Sequence, residues 1–99
     1  MEKSKPSHDL KAFQASFSRE RAVTVTAVRS ARALGYTVSD IAALVNRLER
    51  KHFFKSMTSF HDHRQWQDVY HIPDDDRVLY VKFTDAIVTE FILLSFKEK

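Results

Sequence analysis

Residues 53 to 70 read FFKSMTSFHDHRQWQDVY, which sets one Lys, two His, two Gln and two Asp among five aromatic side chains. Three readings suit that mixture: the solvated side of an ordinary sheet, a metal nest around HDH, or the cleavage site of a small nuclease. On a strand His61 and His63 point the same way, and two imidazoles begin a zinc or nickel site. A catalytic zinc takes three protein ligands, however, and no third stands at paired spacing; a solvent-facing polar turn accounts for FHDHR equally well. RNA carries its own nucleophile, the 2′-hydroxyl. A nuclease need only align it, accept its proton, protonate the leaving 5′-oxygen and stabilise the phosphorane. Lys, Tyr, Gln, His and Arg suffice for those tasks without an obligatory metal or cofactor, and here they alternate with aromatics on which unpaired bases stack.

Other chemistries fall away. A single Gly leaves no phosphate-cradling loop, and no nucleophile elbow supports serine hydrolysis. With no Cys there is neither a disulfide framework nor a thiolate metal site. No apolar run approaches the length of a membrane span, and the opening MEKSKPSHDLK is too polar for a signal peptide, so a cytoplasmic protein is expected. At 99 residues, 43% of them hydrophobic, with eight Phe, three Tyr and one Trp, the chain should fold as one domain over residues 1–99. The net charge of +3 suits a polyanionic partner and an ordinary surface alike.

The elements that must position these residues change character near residue 51, with 1–51 mostly helical and 52–99 mostly strands. Ser7 is placed to cap a helix bearing Leu10, Phe13 and Phe17; RAVTVT alternates like a brief strand through Val23 and Val25; a second helix runs from Thr26 to Gly35. Thr37 and Asp40 form a capping box for a third, whose stripe is Ile41, Leu44, Val45 and Leu48. Strands are expected at 53–58, 64–71, 77–84 and 90–97, joined as antiparallel hairpins, with IPDDDR a turn whose acidic triplet is solvated. In RVLYVKFT the period of two sends Leu79, Val81 and Phe83 one way and Val78, Tyr80, Lys82 and Thr84 the other. Trp66, alternating away from Gln67, belongs to the core. Met57 shares a face with Lys55 as a packing neighbour.

FFKSMTSFHDHRQWQDVY, together with LYVKFT and the closing LLSFKEK in that order and at similar spacing, resembles the MqsR family of bacterial toxins. The resemblance covers nearly the whole chain, and its specific part is the second half, in KSMT, WQDVY and SFKEK. It implies an α+β, RelE-like fold with N-terminal helices on a mainly antiparallel C-terminal sheet. It further implies a ribosome-independent mRNA interferase cutting near GCU or a similar triplet, with growth arrest, persistence and biofilm behaviour as consequences. The implied partners are mRNA and an MqsA-like antitoxin that contains zinc and binds DNA; no membrane is involved. The family's catalytic Lys, Gln and Tyr fall on Lys55, Gln67 and Tyr80. In that setting Lys55 stabilises phosphorane charge or takes the 2′-hydroxyl proton, Gln67 orients the phosphate, and Tyr80 donates to the leaving oxygen or a phosphate. A Lys with an ordinary pKa of about 10.4 must be shifted down to act as a base, which favours the electrostatic role. His63, Arg64, Lys82 and Lys97 are the expected substrate-binding residues. The competing reading is a non-catalytic RNA- or protein-binding module acting through an antitoxin or transcriptional co-regulation.

Overall fold

In the computed structural model, which describes residues 1–96, the elements run β1 (Glu2–Lys3), α1 (Leu10–Glu20), β2 (Ala22–Val23), α2 (Val25–Ala33), α3 (Val38–Arg47), β3 (Phe53–Thr58), β4 (Trp66–Asp74), β5 (Arg77–Thr84) and β6 (Ile87–Phe96). The expected α+β class is what the chain forms. The four long strands make an antiparallel meander, and the N-terminal half supplies both edges: sheet order is β1-β3-β4-β5-β6-β2, with β2 parallel to β6. Of these two-residue edge strands, β2 falls within RAVTVT, where the alternation marks a brief strand through Val23, whereas β1 carries no periodicity of its own. Pairing with the longer β3 makes β1 a strand.

Caps decide where the helices start. Asp9, not Ser7, caps α1, its Oδ1 accepting the N–H groups of Lys11 and Ala12 at 2.9 and 3.2 Å. Thr24 accepts the N–H of Ala27 and starts α2 one residue earlier than expected, so Val25 is helical and exposed rather than part of the strand. The Thr37–Asp40 capping box forms as expected. Gly35, at φ +87°, takes the left-handed conformation beyond the end of α2 that side chains with a Cβ disfavour.

One face of the sheet receives all three helices. Phe13 and Phe17 of α1, Ala27 and Ala31 of α2, and Ile41, Leu44 and Val45 of α3 bury against Tyr70, Ile72, Leu79, Val81, Phe83, Val88 and Phe91. Phe13 stacks on Phe83 with ring centroids 3.6 Å apart. The small Ala pair lets α2 approach β6 closely. Leu79, Val81 and Phe83 are each fully buried, as the alternation in RVLYVKFT requires.

Two readings of the sequence need correction here. Trp66 does point away from Gln67, but it lies beyond the helices and is only half-buried, with the Lys3 ammonium 4.1 Å over its ring. The acidic triplet is not uniformly solvated: β4 extends through Asp74, whose carboxylate accepts from Tyr36 at 2.6 Å and Arg47 at 3.2 Å, leaving only Asp75 and Asp76 in the turn. Asp74 thereby faces the helices, away from the opposite face of the sheet. Its charge is neutralised where it stands.

The segment linking β1 to α1 is tied down by a buried carboxylate. Asp68 is fully buried, and its oxygens accept the backbone N–H groups of Ser7 and His8 at 2.9–3.0 Å. Ser7 Oγ meets Ser56 Oγ at 2.7 Å. A charge taken out of water needs such donors, and here they come from the backbone of a segment that has no secondary structure to satisfy it.

Candidate active site

Antiparallel register, rather than sequence proximity, assembles the polar residues. Val69 of β4 pairs with Lys55 of β3 on one side and Lys82 of β5 on the other, so one rung reads Lys55, Val69, Lys82, and Glu90 of β6 continues it. Directly paired residues project to the same face. The neighbouring rungs are Met57 with Gln67 on one side and His71, Tyr80 and Ile92 on the other. All of these project from the face opposite the helices. Val69 is fully exposed to no solvent yet stands outside the helix-packed core, which makes it an apolar floor beneath the polar side chains.

Lys55, Gln67, Tyr80 and Lys82 therefore share one surface. They do not meet at a point, however. With strands about 4.8 Å apart and a rise of about 3.4 Å per residue, Lys55 and Lys82 stand roughly 10 Å apart at the backbone, and the rungs of Gln67 and Tyr80 flank that of Lys55. Such a spread suits an extended polyanion crossing the strands better than one small ligand.

Lys55 and Lys82 each already hold a carboxylate. Lys55 Nζ lies 2.6 Å from Glu2 Oε2 on β1, and Lys82 Nζ lies 2.7 Å from Glu90 Oε2. The hydrogen bond from Lys55 holds the Glu2 carboxyl below the usual carboxylate range. Tyr80 is pushed above its ordinary value, first by burial and then by the charges of Glu90 and Glu2, so it remains a protonated donor at neutral pH. Gln67, only 8% exposed, is not the solvated side chain its polarity suggests: its Oε1 accepts the Thr89 hydroxyl at 2.9 Å, which leaves its amide N–H₂ as the available donor.

Two aromatic residues on this face were not singled out from the sequence. Phe54, at a register irregularity of β3, stacks on His71 with centroids 4.3 Å apart and is 54% exposed. His71 in turn lies 5.8 Å from the Tyr80 ring. The signal was present, because His71 has the same parity on β4 as Gln67.

The remaining candidates lie elsewhere. His63 and Arg64 occupy the loop of residues 59–65, both exposed, with Asp62 accepting the Arg64 backbone N–H at 2.9 Å. Arg64 also pairs with Asp62 through its side chain and borders a cavity of about 200 Å³ beside His8, Trp66 and Asp85, on the helix side of the sheet. HDH lies in this loop, as the polar-turn reading of FHDHR has it, and β4 begins at Trp66 rather than at residue 64. Among the described residues no three His, Asp or Glu side chains gather as a metal site. Lys97 lies outside the described residues. Among those described, no helix is long and apolar enough to cross a membrane.

Comparison with known proteins agrees with the resemblance seen in the strands. The family described as "Motility quorum-sensing regulator, toxin of MqsA" matches residues 5–98. The mRNA interferase toxin MqsR of Escherichia coli (strain K12) is 34% identical over 76 residues, covering 77% of this chain and 76% of that protein.

Proposed function

The chain belongs to the MqsR toxin family, and from that premise we propose that it is the toxin of a toxin–antitoxin pair, an endoribonuclease that cleaves mRNA and is restrained by its antitoxin. The observation that carries the reading is the helix-free face on which register sets Lys55, Gln67, Tyr80 and Lys82 over the Val69 floor. Two cations on strands separated by β4 can each hold a different phosphate of an extended RNA, and Phe54 offers a half-exposed ring for a base to stack on. The cut is made without the ribosome, at GCU-like triplets, by attack of the RNA's own 2′-hydroxyl. The restraining partner is an MqsA-like, zinc-containing antitoxin with a DNA-binding domain.

The roles follow from chemistry and position. Lys55 neutralises phosphorane charge and Lys82 holds a phosphate flanking the cut, once the incoming phosphates displace Glu2 and Glu90. Tyr80, held protonated, donates to the departing 5′-oxygen. The Gln67 amide, its carbonyl fixed by Thr89, donates to a phosphate oxygen. The test is purified protein with a defined mRNA in EDTA. Discrete cuts ending in 2′,3′-cyclic phosphate are expected; binding without cuts would replace the enzyme by a sequestering module, and loss of cutting on chelation would remove the metal-free mechanism.

A further inference from the structure

Lys55 and Tyr80 sit on strands separated by β4, and the β4 side chain paired with Tyr80 on the open face, one rung from Lys55, is His71. Its ring is held in place by stacking, on Phe54 at 4.3 Å and obliquely toward Tyr80 at 5.8 Å. Its Nε2 is buried and has no hydrogen-bond partner among the described residues. Buried polar atoms are ordinarily paired, so an imidazole nitrogen left without a donor beside an ammonium and a phenol is unspent capacity.

We infer that His71 is the general base of the cleavage, accepting the proton of the attacking 2′-hydroxyl. The inference rests on the endoribonuclease reading and deepens it. The ribose hydroxyl supplies the donor that Nε2 lacks, reached when Phe54, already half-exposed, turns to stack on a base. The 2′-O–H proton passes to the imidazole, and the freed electron pair forms the 2′-O–P bond. The P–O5′ bond breaks with its pair on the 5′-oxygen, which takes a proton from Tyr80. The imidazolium then releases its proton to water, and the phenolate recovers one from water. The products are a 2′,3′-cyclic phosphate and a 5′-hydroxyl. Lys55 is thereby left to its electrostatic role and need not lose its own proton.

The charge environment favours this division. Burial, and after it the Lys55 charge, hold His71 below its usual value, so the ring is neutral and able to accept a proton at pH 7. The groups facing it are Lys55 on β3 with its partner Glu2 on β1, Tyr80 and Lys82 on β5, and Glu90 on β6. Tyr80 is raised and Glu2 lowered, so neither changes charge between pH 5 and 8.

The experiment is single-turnover cleavage of a defined single-stranded RNA by the full chain from pH 5 to 8.5, comparing wild type, His71→Gln and His71→Phe. In wild type, kcat/KM should rise with pH along a limb whose apparent pKa lies below about 6.5, the ordinary value for His. Both variants should lose roughly a hundredfold or more in rate and lose that limb. Both should still bind an RNA carrying 2′-deoxyribose at the cut with wild-type affinity. His71→Phe keeps the stack on Phe54, so full activity in that variant would reduce His71 to packing and overturn the inference, as would an unchanged limb in His71→Gln. A wild type that binds RNA but cuts nothing would fail the endoribonuclease reading itself, and the general base with it.

Discussion

The carboxylate of Glu2 sits 2.6 Å from the ammonium of Lys55, joining the first strand of the chain to the candidate catalytic face. A phosphate that comes to Lys55 must displace it. Glu2 belongs to a two-residue edge strand and is largely exposed, so the pair is a modest competitor rather than a lock. Glu2→Gln should therefore lower KM for RNA by about two- to fivefold at low salt, the scale of an exposed ion pair. The gain should shrink at high ionic strength. A KM that does not fall would mean that Lys55 makes no contact with substrate phosphate.

Lys55→Ala and Tyr80→Phe each remove a group proposed to act mainly in the transition state. Each should slow cleavage by roughly ten- to a thousandfold. Neither residue belongs to the helix-packed core, so melting temperatures should stay close to wild type. Full activity in the double variant would take both residues out of the site.

Asp68 is the structural counterpart on the other face. Replacing it with Ala leaves the part-buried backbone donors of Ser7 and His8 without an acceptor, which should cost about 2–3 kcal/mol. For a chain of this size that lowers the melting temperature by roughly 10–20 °C. Thermal unfolding followed by circular dichroism reads this directly, and a shift under a few degrees would show the strap to be dispensable.

Tyr70 makes the opposite prediction. Its hydroxyl is buried without a partner among the described residues, and burial pushes its pKa up to about 12. Tyr70→Phe keeps the ring against Phe53 and Phe83 and removes the unpaired oxygen. Stability should rise by up to ~1 kcal/mol, seen as an increase of a few degrees in melting temperature. A fall instead would reveal a hydrogen bond to that hydroxyl.

Stability should also decline as the solution is acidified from about pH 7.5 to 5.5. Burial is the main cause holding both His52 and His71 below their ordinary value of 6.5 in the folded chain. The unfolded chain then binds more protons than the folded one once pH drops through 6.5, so protons favour unfolding until the folded-state pKa is reached. For His52 the mechanism is visible, since its Nδ1 accepts the Glu49 N–H at 2.9 Å and cannot do so when protonated. His52→Asn should flatten the slope of melting temperature against pH. An unchanged slope would exclude this histidine as a source.

What was legible in the sequence was local in origin. The alternation in RVLYVKFT sorts Leu79, Val81 and Phe83 from Tyr80 and Lys82 because a strand's side chains reverse direction at each residue. Gly35 and the Thr37–Asp40 box mark helix ends because the conformations and donors there are satisfied within a few residues. The boundaries that moved did so where two local solutions competed. Ser7 is as good a cap as Asp9, but its N–H and hydroxyl are claimed by Asp68 and Ser56, about fifty to sixty residues away along the chain.

The sequence by itself determined the family, the α+β order of elements, and which side chains on each strand share a side. Only the tertiary structure decided which strands lie adjacent and in what register, and so which of those sides combine. Pairing free energy is summed over contacts between segments far apart in the chain, and no single segment encodes it. That pairing sets Lys55 on one rung with Val69 and Lys82, brings Glu2 back from the N-terminus onto Lys55, and stations His71 beside Tyr80, one rung from Lys55. It also leaves HDH, the conspicuous motif of the sequence, on an exposed loop, while the unremarked histidine eight residues after His63 stands on the working face.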